Sequence, residues 1–464
     1  MRGQTIAVEK KIKYLGIVLD HRLLWNAHVE YITEHTGHIC NTFASIARGR
    51  WGLASEAMDA IYNQIFVPII TYACGSWGWS TCRVHIKRKL IAAQRKALLH
   101  ITRAYRTTPN SSLQVLARKM PIDKHISLQT KVWHLKWGST IHTATQEINH
   151  HDLECAIHFS RSNHPAIPNK LNFFQPEHTD LTVYTDGSKC NNNVGSGFVA
   201  YLNNTEIASE RYRLGADCTV FQAEMYAISM AVAWTASNYD SQTVTIITDS
   251  ESSIAALKNH CDHPISTSIH SDINKSSNIY SIYWTRAHQG TLGNERADEL
   301  AKSACEDNNL PIVYSKINIK TIKNIIRNDL LDLWQEDWDR QNHPITHQLI
   351  PNIKTFLAIP WYRPTQRTSQ FLTNHGRFYS YLARFVNSPT FSCSLCDVED
   401  GCLHYLLTCP MLELERHLLR TSMETHGYHW PENLHGIMNN SDTYAALLHL
   451  IDMYFKRTTV AAFN

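Results

Sequence analysis

The chain has 464 residues, too many for one ordinary domain, and a prior of roughly 150 residues per domain suggests about three. Its hydrophobic fraction of 43% is typical of a folded protein. The net charge of +3 is too small to indicate a polyanionic partner, so any nucleic-acid surface must be a local patch.

The N-terminal residues lead into a lysine-rich stretch instead of an apolar run, so we expect no secretory signal. The longest apolar stretch, 65–79, contains Pro68 and Gly75 and is shorter than the roughly 20 residues that a membrane helix needs. Twelve scattered cysteines favour reduced thiols or metal ligands over a disulfide framework. We therefore expect an intracellular protein with no membrane partner, with nucleus and cytoplasm both open.

Residues 1–160 are predicted to form a mainly helical region. Between Arg83 and Arg106 eight Lys and Arg residues occur without one Asp or Glu. Such a run can neutralise a row of phosphates, which makes Arg95 and Lys96 candidate nucleic-acid contacts. A solvated helix face is an equally good interpretation.

Polar, Pro-containing stretches at 160–172 and 308–314 predict two linkers. They divide the chain into the helical region 1–160, a central region 175–307 and a C-terminal helical region 315–464. In the central region, apolar alternation predicts strands at 181–186, 195–202, 207–214, 244–249 and 279–284. Helical periodicity predicts helices at 219–238 and 250–257, and a last helix that begins near Asn294. The central region is therefore predicted to be an α/β unit with a mixed five-stranded sheet and flanking helices.

Four acidic residues of this region lie near predicted strand ends or helix starts: Asp186, Glu224, Asp249 and Asp298. Asp186 and Asp249 fall where strands end, which is where open α/β sheets place their ligands. Any one of them alone would most often be a helix cap or a surface acid. Four carboxylates gathered in one fold would repel one another unless divalent cations neutralised them, so together they indicate a metal-dependent phosphodiesterase.

The phrases around these acids occur in a fixed order: Tyr184-Thr185-Asp186-Gly187-Ser188, Gln222-Ala223-Glu224, Thr248-Asp249-Ser250, Trp284-Thr285-Arg286-Ala287-His288-Gln289-Gly290 and Gly293-Asn294-Glu295-Arg296-Ala297-Asp298. Over about residues 180–304 the chain resembles ribonuclease H type 1, in the version that non-LTR retrotransposons carry. It departs from that family at Arg286-Ala287, where Pro-Gly often precedes the histidine.

The resemblance implies a ribonuclease H-like fold and hydrolysis of the RNA strand of RNA:DNA hybrids with two Mg²⁺ ions, for which Mn²⁺ can substitute. Asp186 would bridge both ions, Glu224 and Asp249 would complete one site each, and Asp298 would help to hold the second ion. His288 would assist proton transfer or product release.

The same resemblance assigns contacts with the RNA strand to the surroundings of Gly187, Ser188 and Gln222. It also implies that residues 1–160 follow the polymerase palm of a retrotransposon reverse transcriptase as a thumb-like region. Since the chain contains no adjacent pair of aspartates, we expect it to lack the polymerase active site and to be the C-terminal part of a polyprotein.

In the C-terminal region, Cys393, Cys396, His404 and Cys409 follow the spacing C-x2-C-x7-H-x4-C. Three thiolates and an imidazole can close a tetrahedral Zn²⁺ site, with Cys402 as a spare candidate. The alternative is a set of small buried thiols. Residues 393–409 resemble the zinc-knuckle-like segment of the same elements, which implies a bound Zn²⁺.

Two functional hypotheses follow, with RNA:DNA hybrid, RNA or DNA as the partner in both. The first is an active hybrid-cleaving endonuclease. The second is a catalytically inactive relic of a retrotransposon polyprotein that binds nucleic acid without cutting it. Intact acids favour the first, and the altered loop at Arg286-Ala287 leaves the second open.

Overall fold

The computed structural model describes residues 9–47, 55–156, 170–191, 193–259, 261–286, 292–341, 344–386 and 391–461. The chain divides into two compact units, of which unit 1 comprises residues 1–133 and 326–464, and unit 2 comprises residues 134–325. This division differs from the three regions predicted from the sequence, because N-terminal and C-terminal side chains share a core inside unit 1. Across the described ranges, no helix combines the length and the apolar character that a membrane crossing requires.

The N-terminal part of unit 1 begins with an antiparallel hairpin that was not predicted, β1 (Lys11–Tyr14) and β2 (Ile17–Asp20). Helices follow in chain order: α1 (Asn26–Ala47), α2 (Ser55–Ile61), α3 (Val67–Thr71), α4 (Cys74–Trp77), α5 (Val84–Thr102), α6 (Asn110–Leu116) and α7 (Ile122–Lys136). A π-helical turn at Tyr62–Phe66 joins α2 to α3.

Helix α5 carries the basic run, and its charges serve the fold of unit 1. Lys87 forms an ion pair with Asp123 at 2.8 Å, and Lys89 forms one with Glu30 at 2.5 Å. The apolar face of the same helix, which includes Ile86, is buried. The interpretation of the run as part of a helix surface therefore gains support at these two positions.

Arg95 is a second case in the same run. Its guanidinium donates to Thr108 O at 2.6 Å and to Asn110 Oδ1 at 2.7 Å, and also to Arg106 O. These bonds help to fix the loop that connects α5 to α6 and leave other donors of the partly exposed guanidinium available, so the nucleic-acid contact of Arg95 remains a prediction. Lys96 is exposed, and its contact remains a prediction.

Unit 2 contains the elements β3 (Ile141–His142), β4 (Glu147–Ile148), β5 (Leu171–Asn172), β6 (Leu181–Cys190), β7 (Asn193–Leu202), β8 (Thr205–Leu214), α8 (Val220–Asn238), β9 (Thr243–Thr248), α9 (Glu251–Lys258), α10 (Pro264–Lys275), β10 (Ile279–Trp284), α11 (Leu292–Glu306) and β11 (Ile312–Tyr314). A short hairpin of β3 and β4 precedes the main sheet in the chain.

The main sheet of unit 2 is mixed and has seven strands in the order β11-β8-β7-β6-β9-β10-β5. Strands β6, β7 and β8 are antiparallel neighbours, whereas β9 runs parallel to both β6 and β10. The predicted mixed sheet with helices is confirmed, but with seven strands instead of five. The additional strands β5 and β11 are edge strands of two and three residues at the ends of the predicted linkers, too short to show alternation.

Two helices of unit 2 differ from the prediction. Helix α10 was not predicted, although Ile265, Ile269 and Ile273 are buried at helical spacing, because Ser and Thr between them weaken the helical signal. Helix α11 begins at Leu292, so Asn294 lies inside the helix and is buried instead of capping it.

Helices α8 and α11 pack on opposite faces of the sheet. Ser196 Oγ of β7 donates to Ala223 O of α8 at 2.9 Å. A Cβ on the preceding residue, Gly195, would lie 2.2 Å from Ala301 O of α11, so glycine permits that helix to approach. Since successive strand residues point to opposite faces, the sheet is covered on both sides.

The remaining helices run from residue 319 to residue 461: α12 (Ile319–Asp339), α13 (Pro344–Leu349), α14 (Ile353–Ala358), α15 (Gln366–Thr373), α16 (Tyr379–Val386), α17 (Cys402–Leu407), α18 (Glu413–Thr425), α19 (Gly436–Asn439) and α20 (Ser441–Ala461). Large aromatic side chains such as Trp338, Phe371 and Tyr454 fill the core between them. Val115 and Leu116 of α6 belong to the same core, which explains why unit 1 contains both ends of the chain.

Candidate active site

Strand register places two of the four predicted acids side by side. Thr185 of β6 pairs with Thr248 of β9, and each is followed directly by an aspartate. Asp186 lies within β6, which continues to Cys190, so the prediction that its strand ends at Asp186 was too short. Asp249 lies directly after β9, and its carbonyl accepts a hydrogen bond from Trp284 Nε1 at 2.9 Å.

Glu224 reaches this position because α8 begins close to β6. A Cβ at Gly187 would lie 2.4 Å from Glu224 N and 2.7 Å from Ala223 C, so only glycine permits this approach without a shift of backbone. Thr219 caps α8, and its hydroxyl accepts from the backbone N–H of Gln222. The capped first turn therefore holds Glu224 against the strand that carries Asp186.

Carboxylate oxygens of Asp186, Glu224 and Asp249 all lie within 4.8 Å of one another. Asp298 is not in this group. Its carboxylate forms an ion pair with Lys302, one turn later on α11, at 2.7 Å. The structure thus brings three of the four predicted acids together and engages the fourth with a lysine.

Asp186 and Glu224 are buried, Asp249 is partly exposed, and the three carboxylates repel one another. Burial, followed by the negative charges of Asp249 and Asp298, raises the pKa of Asp186 to about 7. Burial and the charges of Asp186 and Asp249 raise the pKa of Glu224 to about 9. Without a cation the fold therefore holds these groups against an electrostatic cost.

The residues present fit divalent cations. Glu224 Oε2 is buried and has no hydrogen-bond partner among the described residues, which is costly for a carboxylate oxygen unless something else binds it. Hard carboxylate oxygens at this separation are ligands that suit Mg²⁺. The donor set therefore matches a cation site.

His288, with Ala287, Gln289 and Gly290 of the predicted loop, lies outside the described residues. The chain is described up to Arg286 and again from Leu292. The position of the predicted proton-transfer group relative to the acids therefore stays a prediction.

The predicted RNA contacts have different environments. The side chain of Gln222 is buried and donates to Glu154 Oε1 and to Lys316 O, both at 2.9 Å. Its Oε1 accepts from Thr219 N at 2.8 Å, so the structure contradicts a contact between this side chain and RNA. Ser188 is partly exposed, and with the backbone at Gly187 it stays a predicted contact.

Sequence reasoning missed Glu154, which lies at the centre of a buried hydrogen-bond network beside α8. Its carboxylate is 3% exposed and lies 3.2 Å from His263 Nε2. It also accepts from Tyr314 OH at 2.5 Å and from Asn318 Nδ2 at 3.2 Å, in addition to Gln222. These partners are distant in the sequence, so no local pattern could have indicated the network.

This network has an electrostatic effect on Glu154. Burial alone would raise the pKa of its carboxyl group, but hydrogen bonds and charge from His263, with further bonds from Tyr314 and Gln222, lower the pKa below the ordinary value. Since Gln222 also closes the capping box of α8, Glu154 supports the turn that carries Glu224.

A second cluster in unit 1 contains the four predicted zinc ligands. Cys393, Cys396, His404 and Cys409 each offer a ligand atom within 4.8 Å of the others. The sulfur atoms are separated by 4.0, 4.0 and 3.9 Å. Zn–S bonds of about 2.3 Å in a tetrahedron require S···S distances of about 3.8 Å, whereas a disulfide bond is about 2.05 Å long. The spacing therefore fits a tetrahedral zinc site.

The imidazole of His404 is oriented for the same site. Its Nδ1 lies 3.0 Å from Thr408 Oγ1, while Nε2 is buried and has no hydrogen-bond partner. Histidine ligands of zinc usually place their second nitrogen in a hydrogen bond of this kind. Cys402, the spare candidate, is buried outside the group, and its backbone N–H donates to Asn374 Oδ1 at 2.8 Å.

Comparison with known proteins identifies the region that contains the acids. The family model for RNase H matches residues 178–306. The Pol polyprotein of type-1 retrotransposable element R1 4 from Nasonia vitripennis is 32% identical over 136 residues, which are 29% of this chain and 34% of that protein. The Pol polyprotein of element R1 from Popillia japonica is 25% identical over 37% of this chain and 69% of its own length.

The chain thus spans about a third of the Nasonia relative. Among solved structures, RNase H1 of Halobacterium salinarum is 22% identical, with 27% of this chain and 96% of that chain covered and a TM-score of 0.23. At that TM-score the likeness adds nothing to the family match. Residues 178–306 are an RNase H domain, within a chain similar to the Pol polyproteins of R1-type retrotransposable elements.

Proposed function

We propose that this chain hydrolyses the RNA strand of RNA:DNA hybrids by a two-metal-ion mechanism, as part of a retrotransposon-derived protein. One observation carries the proposal: two buried carboxylates and a partly exposed one, from separate elements, meet within 4.8 Å, and one Glu224 oxygen has no hydrogen-bond partner among the described residues. Repulsion between these carboxylates does not stabilise the fold by itself. The family match to RNase H supports the same reaction class.

In this proposal Asp186, Glu224 and Asp249 would hold the Mg²⁺ ions. The ions, when bound, would help to deprotonate the attacking water and to neutralise charge on the phosphoryl and leaving oxygens. The three carboxylates would keep this site at the edge between β6 and β9, and the burial of Asp186 and Glu224 restricts the movement of these two side chains.

Asp298 has a conditional role in the proposal. Its ion pair with Lys302 must open before its carboxylate can help to hold the second ion. Exposed ion pairs of this type contribute little stability, so opening costs little. His288 would move a proton during hydrolysis or help the product to leave.

Candidate contacts with the hybrid are polar groups next to Asp186 in the sequence and one lysine of unit 1. An enzyme that cuts only RNA in a hybrid must sense the 2′-hydroxyl of one strand. Ser188, two residues after Asp186, and the backbone at Gly187 offer polar groups there. Lys96 in unit 1 is a candidate phosphate contact.

The proposal is tested with a labelled RNA:DNA hybrid, a matched RNA duplex and a matched DNA duplex, each with and without Mg²⁺. Asp186→Asn should lower the rate of hybrid cleavage at least about 1,000-fold, since loss of a central group of a catalytic site typically costs this much. Asp272→Asn, a surface carboxylate of the same unit that pairs with Lys275, should leave the rate unchanged. Undiminished cleavage by the Asp186 variant would refute the proposal.

Measuring hybrid binding together with hybrid cleavage distinguishes the inactive relic from the active enzyme. A relic would bind the hybrid with the same affinity with and without Mg²⁺ and leave it intact. The geometry of the three acids favours the active enzyme, because a protein free of selection for metal binding has no reason to retain buried, mutually repelling carboxylates.

We further propose that Cys393, Cys396, His404 and Cys409 bind one Zn²⁺ ion. The S···S distances and the free Nε2 of His404 support this assignment. Elemental analysis of the purified chain should find one zinc per molecule, and Cys409→Ser should lose it. Cys82→Ser, an exposed cysteine in the same unit, should retain the zinc.

A further inference from the structure

A cavity of about 460 Å³ opens in unit 1, far in sequence from both clusters described above. Its volume is in the range of sites for small ligands, roughly 300 to 1,000 Å³. Four cationic and two acidic side chains line it: Arg118, Lys119, Arg327, Arg363, Glu56 and Asp59. The cavity therefore has an excess of positive charge.

Three of these cations have no carboxylate partner. Lys119 forms an ion pair with Asp59 at 2.7 Å. Within the described ranges of the chain, Arg118, Arg327 and Arg363 form no ion pair. Positive charges gathered in a recess repel one another unless an anion enters.

Two of the three guanidinium groups are held by hydrogen bonds that leave other donors available. Arg363 Nη1 donates to Pro360 O at 3.0 Å and to Tyr362 O at 2.9 Å. Arg118 Nη2 donates to Leu357 O. Each guanidinium carries five N–H donors, so most remain available to a ligand. Burial and the charge of Arg363 lower the pKa of Arg118, which agrees with two cations placed close together.

We propose that this cavity binds a phosphate group, held by Arg118, Arg327 and Arg363. Planar guanidinium groups match the oxygens of phosphate in bidentate geometry. The phosphate belongs either to a nucleic-acid strand or to a small free phosphate compound, and the chemistry of recognition is the same for both. The site lies outside the RNase H domain and does not depend on RNA cleavage.

The first experiment measures the melting temperature of the full chain in Mg²⁺-free buffer, with inorganic phosphate or pyrophosphate against chloride at equal ionic strength. If the ligand is free phosphate, phosphate or pyrophosphate raises the melting temperature. Arg327→Gln, whose side chain makes no hydrogen bond to any described residue, should weaken phosphate binding roughly tenfold or more. Arg367→Gln removes the same charge from the surface of unit 1, where it pairs with Asp452 at 2.6 Å, and should bind phosphate normally.

The second experiment measures binding of a fluorescent single-stranded DNA oligonucleotide, which is not a substrate for ribonuclease H chemistry. If the phosphate belongs to a strand, Arg327→Gln should lower affinity and reduce the salt dependence by about one ion, while Arg367→Gln should change neither. Free phosphate would then compete only weakly.

The inference is overturned if neither ligand binds, or if Arg118→Gln and Arg327→Gln each bind both ligands as tightly as the unmodified chain and Arg367→Gln.

Discussion

The acid cluster of unit 2 and the Cys/His cluster of unit 1 are both candidate metal sites, but the chain builds them in different ways. All four members of the Cys/His cluster lie between residues 393 and 409. The acid cluster joins a residue inside β6, one in the first turns of α8 and one directly after β9. A local ligand set follows from spacing, whereas a distributed set depends on strand register and helix packing.

The two clusters also differ in what they do without a metal ion. Without a cation, burial and mutual repulsion raise the pKa of Asp186 to about 7 and that of Glu224 to about 9, so these acids take up protons near neutral pH and bear an electrostatic cost above it. The Cys409 thiol stays protonated over a wider pH range, because burial raises its pKa to about 12. Removal of metal should therefore loosen the Cys/His cluster and leave the acid cluster folded but strained.

Zinc removal should produce the largest change in stability. Treatment with a strong chelator, or the Cys396→Ser substitution, should lower the free energy of unfolding of the chain by several kcal/mol, because zinc binding contributes directly to folding. Calorimetry measures the effect, with Cys82→Ser as the control. If chelation leaves the melting temperature unchanged, the cluster is only a set of buried thiols.

Loss of Glu154 should produce the second-largest change in stability, since this residue supports the helix turn that carries Glu224 of the acid cluster. Glu154→Gln should lower the free energy of unfolding at pH 7 by about 3 kcal/mol, because it removes a buried carboxylate that accepts hydrogen bonds from Tyr314, Asn318 and Gln222. Glu147→Gln, at an exposed position near His142, should have little effect.

The contribution of Glu154 to stability should depend on pH in a predictable direction. The pKa of Glu154 is lowered in the folded state, so its contribution is present above the ordinary value of 4.5 and is lost as pH falls through the folded value. The difference between Glu154→Gln and the unmodified chain should therefore shrink in urea unfolding below about pH 4.5. A constant difference down to pH 3 would contradict this account.

Binding of Mg²⁺ should stabilise the acid cluster by a smaller amount, about 2 kcal/mol at an ion concentration well above the dissociation constant. Asp186→Asn should abolish this gain. In chelator at pH 8 the same variant should melt at a higher temperature than the unmodified chain, because it removes one of the repelling charges. Asp272→Asn should keep the Mg²⁺ response, and a Mg²⁺ response in Asp186→Asn would count against the shared site.

The smallest expected change in stability comes from substitutions at Arg95 and Lys96, two adjacent residues of the basic run. Arg95→Gln should lower the free energy of unfolding by about 1 to 2 kcal/mol, because it removes hydrogen bonds to the α5–α6 loop. Lys96→Gln should leave stability unchanged and weaken nucleic-acid binding. Chemical denaturation and an oligonucleotide titration test the pair, and equal stability losses would contradict the assignment of Arg95 to the fold.

The strands and helices of the RNase H domain were predictable because each carries its own periodicity. The five longer strands and α8 appear at nearly the predicted positions. The edge strands β5 and β11 were not predictable, since their identity depends on neighbours in the sheet. Helix α10 was missed because its buried isoleucines alternate with residues of weak helical preference.

The candidate sites were predictable to different depths. Spacing was sufficient for Cys393, Cys396, His404 and Cys409, which the structure brings together. The ordered motifs indicated the acids, but the pairing of Asp298 with Lys302 and the burial of Gln222 required packed side chains. Glu154 and the cationic cavity had no local signature, because their partners come from distant segments.

By itself, the sequence determined the types of chemistry that this chain carries: hard oxygen ligands in one region and thiolates with imidazole in another. Only the tertiary structure decided which charged groups are left without partners. The physical reason is that periodicity and ligand spacing act over a few residues along the chain. Burial, repulsion and ion pairing depend on distances through space, which only the packed fold fixes.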